Sequence, residues 1–344
     1  MCGPGGVGKT TTSAALGLAA SAGGRRTLVC TIDPSKRLRT SLGLARLTGT
    51  PQRVKGNLFA MRLDPKQTFD DLVRRHAATP EARDRILSNQ FYQQISRHLA
   101  GTHEVMAMEA LMGVSGDFDL ILLDTPPAAS AIAFLDAPKR VLDFVDGRIL
   151  RYFLKPYFVA GHLTIEPKTM VGRTLLHILD SAVGLRFLRD LSEFFLAFEG
   201  LFDSFRRTAT AMDALLRDAK TSFVLVTTPA VSRIDGGVAF AEALRDRSLR
   251  PAAIIANRVH PWAITPPPAF AKGDTSLPRN VAVELAALAR RDLARAKVEV
   301  RHLRLYARRS GLPSICVPEL DSDVHDLRHL AEIARWLQRE AANV

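Results

Sequence analysis

GPGGVGKT, residues 3–10, opens the chain and decides which fold follows. Its spacing, G-x-x-x-x-G-K-T, is that of a phosphate-binding loop, where backbone N–H groups and the dipole of the following helix favour phosphate oxygens. Residues 10–22 are rich in alanine, contain no proline and precede Gly23-Gly24, as expected of a helix that ends at a glycine. The sequence therefore predicts a loop and helix that bind nucleotide phosphates.

Most residues of this loop are expected to contact the bound nucleotide. The predicted nucleotide contacts are Gly5, Gly6, Val7, Gly8, Lys9, Thr10 and Thr11. Lys9 should neutralise the β- and γ-phosphates and is a predicted catalytic residue, and the Thr10 hydroxyl should bind Mg²⁺. Because such a loop normally follows a buried strand, we expect the natural protein to begin roughly ten residues before Met1, and the first strand to be truncated here.

Short aliphatic runs bounded by turn residues recur along the chain and predict buried parallel strands. They cover residues 27–33, 58–63, 120–124, 222–228, 252–257 and 314–317. Helical patterns separate them, so we predict an α/β fold with a doubly wound, mostly parallel sheet and its ligand at the carboxyl ends of the strands. Residues 64–113 and 140–219 predict an inserted helical subdomain, and residues 1–63, 114–139 and 220–344 an ATPase core.

Polar residues end three of these runs. Asp124 is predicted to hold Mg²⁺, directly or through water. Asp33 is the second predicted catalytic residue, which would orient the attacking water near the γ-phosphate. Asn257 offers an amide that matches the N6/N7 edge of adenine, and no N-K-x-D sequence is present to favour guanine. Helix capping by Asp33 and turn formation by Asn257 remain the alternatives.

Together these residues resemble the ArsA-type ATPases, the family of arsenite-pump and tail-anchored-protein targeting ATPases in the deviant Walker A class that includes MinD and ParA. The resemblance rests on residues 3–11, 33–38 (DPSKRL), 124–127 (DTPP), Asn257 and 317–327 (VPELDSDVHDL), and is nearest to single-unit ArsA-like proteins of actinobacteria. It implies that Asp33 positions water, that Asp124 opens a nucleotide-sensing segment, and that Pro318 and Asp323 border the adenine.

The resemblance also implies Mg²⁺-dependent ATP hydrolysis by a homodimer, or by a heterodimer with a paralogue. The helical subdomain would move with the nucleotide state and handle a partner or a hydrophobic client such as a membrane protein. Pro4 departs from the family, which has a lysine there that reaches the nucleotide of the opposite subunit. Lys36 or Arg37 is the hypothesised substitute, and a nucleotide-gated scaffold with little turnover is a rival interpretation.

The composition, 47% hydrophobic and 24% charged residues, is that of a globular protein. No signal-peptide pattern or membrane-spanning run is present, so we expect a cytoplasmic protein. Residues 323–342 could make it peripheral at a membrane, or could dock on the sheet. Cys2, Cys30 and Cys316 are widely separated, so neither a disulfide framework nor a zinc clamp between subunits is expected, and the arsenite-binding cysteine cluster is not reproduced.

Two further segments of the sequence suggest binding partners without identifying one. Residues 245–309 hold 14 Lys or Arg against 5 Asp or Glu, within a net charge of +12, which suits an acidic partner or a solvated helix. A ParA/MinD-like positioning ATPase would use this stretch on DNA or anionic lipid, although we do not expect nucleic acid as a partner. A phenylalanine-rich stripe over residues 187–205 predicts either the protein's own core or a groove for an apolar client helix.

Overall fold

The computed structural model describes residues 1–33, 36–77, 79–90, 92–93, 96, 102–125, 128–146, 203–265, 267, 278–321 and 323–341. The chain divides into two compact units. Unit 1 comprises Met1–Leu63, Val114–Ile132 and Arg217–Val344, and unit 2 comprises Asp64–Gly113 and Ala133–Leu216. Every strand of the described residues belongs to unit 1.

The strands of unit 1 form two sheets. They are β1 (Thr27–Thr31), β2 (Gln52–Lys55), β3 (Leu58–Arg62), β4 (Leu120–Asp124), β5 (Phe223–Thr227), β6 (Pro251–Val259) and β7 (Ser314–Pro318). The first sheet has the order β2-β3-β1-β4 and the second the order β5-β6-β7, and all pairs are parallel except β2 with β3. The predicted α/β fold with parallel strands is confirmed. β2 was not predicted, because this short antiparallel strand has only one apolar residue, Val54.

The two sheets are joined by the first two residues of the chain. The Cys2 N–H donates to the Val224 carbonyl at 2.9 Å, and the Cys2 carbonyl accepts from the Val226 N–H at 2.7 Å. On the opposite side, the Met1 amino group donates to the Leu123 carbonyl at 2.8 Å. Met1 and Cys2 therefore lie between β4 and β5, and the phosphate loop begins at the seam between the sheets.

Eleven helices can be assigned complete bounds in the described part of the chain. They are α1 (Lys9–Ala22), α2 (Arg37–Ser41), α3 (Pro65–His76), α4 (Pro80–Ser88), α5 (Thr102–Met112), α6 (Ala128–Leu135), α7 (Ala137–Asp146), α8 (Val231–Asp246), α9 (Pro261–Ile264), α10 (Arg279–Ser310) and α11 (Leu327–Ala341). Residues 203–217 are also helical. None of the described helices is both long and apolar enough to cross a bilayer.

One hydrophobic cluster extends across both sheets of unit 1. It contains Ala14 of α1, Val29 of β1, Ile255 of β6, Val317 of β7 and Leu330 of α11, all of them buried. Because burial of apolar surface is the main stabilising term in folding, this cluster holds α1 in place directly after the phosphate loop. The apolar face of α11 is occupied by the same core, which is the docked arrangement that the sequence left open.

The regular secondary structure described in unit 2 is entirely helical. Phe69 of α3 stacks on Tyr92 with ring centroids 5.2 Å apart, and it meets Phe205 edge to face at 5.2 Å. Phe205 is buried, so this end of the predicted phenylalanine stripe packs in the protein's own core. The other members of the stripe lie outside the described residues; they are Phe187, Leu191, Phe194, Phe195, Phe198, Leu201 and Phe202.

Candidate functional site

The backbone of the phosphate loop adopts conformations that favour glycine. Gly3 has φ +151°, and a Cβ atom there would lie 2.1 Å from the Val226 carbonyl oxygen. Gly8 has φ +94°, and a Cβ atom there would lie 2.2 Å from the Asn257 side-chain nitrogen. Residues with a side chain would therefore clash at both ends of the loop, and only glycine adopts such φ values without strain. α1 begins at the next residue, Lys9.

Lys9 is held inside this loop. Its Nζ atom donates to the carbonyl oxygens of Gly3 and Pro4, at 3.0 Å each. Burial lowers the pKa of Lys9, and the negative charges of Asp124 and Asp33 act in the opposite direction. A cation at the N-terminus of a helix, beside free backbone N–H groups, favours a bound phosphate.

Asp124 carries a buried oxygen that is available for a cation. Its Oδ2 accepts from the Thr10 hydroxyl at 2.7 Å and from the Thr31 hydroxyl at 3.2 Å. Its Oδ1 is also buried but has no hydrogen-bond partner among the described residues. Burial raises the pKa of Asp124, against the effect of the Thr10 hydrogen bond. A buried, unpartnered carboxylate oxygen beside a hydroxyl fits Mg²⁺, which prefers oxygen ligands, and Thr10 and Asp124 are the residues that would hold it.

Asp33 follows β1 at the same edge of the sheet. Its backbone N–H donates to the Thr31 hydroxyl at 3.1 Å, and its side chain is half-buried. Thr31 therefore contacts both predicted acidic residues, and the sequence reasoning missed it. The signal was present, because Thr31 and Asp33 are two residues apart at a strand end, where alternate side chains point to the same face. Pro34 and Ser35 lie outside the described residues.

A cavity of about 680 Å³ opens beside the loop within unit 1. Five of the residues predicted to bind the nucleotide line it, namely Gly8, Thr11, Asn257, Pro318 and Asp323. The remaining predicted residues do not line it: Gly5, Gly6, Val7, Lys9, Thr10, Asp33 and Asp124 lie at the loop and strand ends instead. The predicted residues thus form two adjoining parts, a phosphate-and-metal part and a cavity whose volume suits a nucleoside.

Asn257 connects these two parts. Its side-chain nitrogen donates to the Val7 carbonyl at 2.9 Å, and only 7% of the residue is exposed. Since an amide nitrogen carries two hydrogens, one remains for a ligand in the cavity. Arg258, the next residue, lines the same cavity and has φ +58°, which is uncommon for a residue with a side chain.

Four basic side chains, of lysine, arginine or histidine, line this cavity in addition to the predicted nucleotide contacts. They are Lys36, Arg37, Arg258 and His325. Lys36 and Arg37 are exposed, and neither side chain makes a hydrogen bond or ion pair within the part of the chain that the structure describes. The sequence singled out Lys36 and Arg37 but missed Arg258 and His325, although each adjoins or closely follows a predicted contact.

The sequence profile of the anion-transporting ATPase (ArsA) family matches residues 1–273 of the 344 in the chain. The chain belongs to the anion-transporting ATPase family. The resemblance predicted from the loop, the two aspartates and Asn257 is thus confirmed. The anion-transporting ATPases are ATP-hydrolysing enzymes that use ATP with Mg²⁺, which agrees with the donor set around Asp124.

Three proteins of similar sequence illustrate how far the match extends. The uncharacterized protein SCO2128 of Streptomyces coelicolor is 29% identical over 76% of this chain and 62% of its own. ATPase GET3 of Rhodotorula glutinis is 31% identical over 43% of this chain and 42% of its own. A putative arsenical pump-driving ATPase of Aquifex aeolicus is 24% identical over 50% of this chain and 43% of its own. The match therefore spans less than two thirds of each relative.

Proposed function

We propose that the protein is an Mg²⁺-dependent ATPase. The observation that supports this most strongly is the buried, unpartnered Oδ1 of Asp124, whose other oxygen accepts from Thr10 at the start of the loop helix. Membership of the anion-transporting ATPase family supports it independently. Magnesium held by Thr10 and Asp124 would neutralise part of the phosphate charge.

Different residues of the loop and the strand ends have different roles in ATP hydrolysis in this proposal. The backbone N–H groups of the loop, including those of Gly5, Gly6, Val7 and Gly8, bind phosphate oxygens. Lys9 stabilises the charge of the transferring phosphoryl group, and Asp33 orients the attacking water. Phosphoryl transfer needs positioning and charge stabilisation more than covalent chemistry, and Lys9 and Asp33 suit those two requirements.

The 680 Å³ cavity receives the nucleoside in this proposal. Thr11 contacts the α-phosphate, Asn257 offers its free amide N–H and its oxygen to adenine, and Pro318 and Asp323 border the base. The support for this placement is that all four residues line one cavity, and that Gly8 of the phosphate loop lines it too.

Turnover and calorimetry on matched variants of the full chain test the proposed function. Lys9→Ala should lose both ATP binding and hydrolysis, because the loop then lacks its cation. Asp33→Asn should keep ATP affinity but lower kcat by about 100-fold or more, because only water positioning is affected. A wild-type chain that releases no heat with Mg²⁺ and ATP would refute the proposal.

We also propose that residues 64–113 and 140–219 form an inserted helical subdomain that changes position with the nucleotide state. The protein would be cytoplasmic and would act as a dimer. A hydrophobic client, such as an apolar helix of a membrane protein, would bind this subdomain. A photo-crosslinker introduced at Phe198 tests the client: crosslinks to apolar helices with Mg²⁺ and ATP but not with ADP are expected. Crosslinks that are independent of nucleotide would contradict the coupling.

A further inference from the structure

One arginine of α10 connects this helix to the loop that follows β7. Arg295 donates from Nη2 to Glu319 Oε2 at 2.7 Å, and from Nε to Glu299 Oε1 at 2.8 Å. The other oxygen of Glu299, Oε2, accepts the backbone N–H of His260 at 2.6 Å. Arg295 and Glu299 therefore tie α10 to the residue after β6 and to the residue after β7.

The same two strand ends form the wall of the nucleoside cavity. Asn257 lies in β6, and Pro318 ends β7. The Glu319 N–H donates to the Val259 carbonyl at 2.8 Å, so the two strand ends are also linked to each other. Arg258 and Glu319 line both the nucleoside cavity and a second cavity, which Arg295 and Glu299 also line. The Arg295–Glu299–Glu319 network thus lies behind the wall that carries Asn257 and Pro318.

The burial of Glu299 makes the network depend on Arg295. Glu299 is only 7% exposed, and a buried carboxylate is costly unless it is paired and hydrogen-bonded. Arg295 and Glu319 are about half exposed, so their pair alone would contribute little. Removing Arg295 leaves Glu299 with the His260 N–H as its described partner, and releases Glu319 from α10 at the same time.

We propose that Arg295 is a positioning residue for recognition of the base. By holding Glu299 and Glu319 it fixes the wall that carries Asn257 and Pro318, so that the cavity distinguishes adenine from other bases. This inference rests on the proposed function, because ATP must occupy the cavity. It concerns a helix that the family match does not reach, since α10 begins at Arg279 and the match ends at residue 273.

Calorimetry with three ligands and Mg²⁺ tests the inference on the full chain, using ATP, GTP and inorganic tripolyphosphate. Arg295→Ala should weaken ATP binding about tenfold and reduce the ATP-to-GTP affinity ratio, while tripolyphosphate affinity stays unchanged because the phosphate loop is intact. Arg295→Lys should give an ATP-to-GTP affinity ratio between those of the wild type and Arg295→Ala, because lysine can form one of the two ion pairs. The matched control is Arg291→Ala, since Arg291 is exposed on the same helix and its side chain makes no hydrogen bond or ion pair within the described residues.

The outcomes separate this inference from the proposed function. A wild-type chain that does not bind ATP refutes the function itself. An unchanged ATP-to-GTP ratio in Arg295→Ala overturns the inference, as does an equal loss for all three ligands, and so does a wild-type chain that binds ATP and GTP equally. If Arg295→Ala does not fold, Glu319→Gln removes the ion pair at a half-exposed position and must lower the same ratio.

Discussion

Asp124, the proposed Mg²⁺ ligand, lowers the stability of the fold at neutral pH. Its side chain is buried, and burial raises its pKa above the usual range for an aspartic acid. A carboxyl whose folded pKa is raised favours the folded state in its protonated form. That contribution is present below the unfolded pKa and is lost as the pH rises through the folded pKa, so at neutral pH the ionised Asp124 works against folding.

Replacing Asp124 by asparagine should therefore separate stability from metal binding. Asp124→Asn keeps an oxygen for the Thr10 and Thr31 hydroxyls but removes the charge. We expect a higher melting temperature at pH 7 without ligand, and a loss of most of the stabilisation that Mg²⁺ and ATP confer on the wild type. Thermal denaturation with and without ligand measures both effects. Asp117→Asn, at an exposed position, is the control and should change neither; a lower melting temperature for Asp124→Asn would be contrary to this account.

Lys36 and Arg37 are predicted to attract the phosphate tail. Both line the nucleoside cavity with Thr11. The pKa of Lys9 is lowered by burial and, to a smaller extent, by the positive charge of Arg37. Replacing both by alanine should weaken ATP binding about tenfold at low salt, and less at high salt, because exposed charges are screened. The control is Arg39→Ala on the same helix, whose guanidinium donates instead to a backbone carbonyl at Ala45.

Unchanged ATP affinity in the Lys36→Ala and Arg37→Ala double variant would contradict this prediction. A loss of the same size in Arg39→Ala would also contradict it, since the effect would then arise from the net charge of α2 rather than from the two side chains that line the cavity.

At the scale of elements, the contact between α8 and α10 depends on one glycine. A Cβ atom at Gly237 would lie 2.0 Å from the Tyr306 hydroxyl oxygen, whereas a Cβ atom at Gly236 would meet nothing within 4 Å. Tyr306 is 2% exposed, so its ring has little room to move. The two neighbouring glycines of α8 therefore have different effects. Gly237 permits close packing of α8 against α10, whereas Gly236 only lowers the helix propensity of α8.

Alanine substitutions at these two positions should change the free energy of unfolding in opposite directions. Gly236→Ala should stabilise the protein by up to about 1 kcal/mol through helix propensity. Gly237→Ala should destabilise it by about 1–3 kcal/mol, because the methyl group overpacks the contact with Tyr306. Urea denaturation of both variants measures the difference; equal effects of the same sign would show that α8 and α10 do not pack as described.

The sequence predicted those elements whose signal is local. The apolar runs that became β1, β4 and β6 end at or near Asp33, Asp124 and Asn257, so the strand pattern alone predicted that these three polar residues lie at the carboxyl ends of parallel strands. The sequence pattern did not predict β2, because this strand has a single apolar residue and depends on its pairing with β3. The hydrogen bonds of Arg295 to Glu299 and Glu319 were not predicted either. Arg295 and Glu319 are 24 residues apart in the sequence, and only the folded structure brings them together.

At the scale of the whole molecule, nucleotide should control self-association. The net charge of +12 makes identical chains repel one another, and bound nucleotide reduces that charge beside the loop. Asp33→Asn should accumulate the ATP-bound form, so with Mg²⁺ and ATP its mass by light scattering should double from the 37.7 kDa of one chain. Lys9→Ala should stay at the mass of one chain. An Asp33→Asn variant that binds ATP but remains monomeric would contradict a homodimer and leave a paralogue as the partner.

The pairing of Met1 and Cys2 between β4 and β5 also has a thermodynamic consequence. These two residues continue without interruption into Gly3 and Pro4, whose carbonyls hold Lys9. A ligand that orders the loop must therefore order the seam as well, and pulling the two sheets apart carries the additional cost of releasing that ligand. Deuterium exchange at the Val226 amide, which donates to Cys2, would report the linkage, and saturating Mg²⁺ and ATP should slow it.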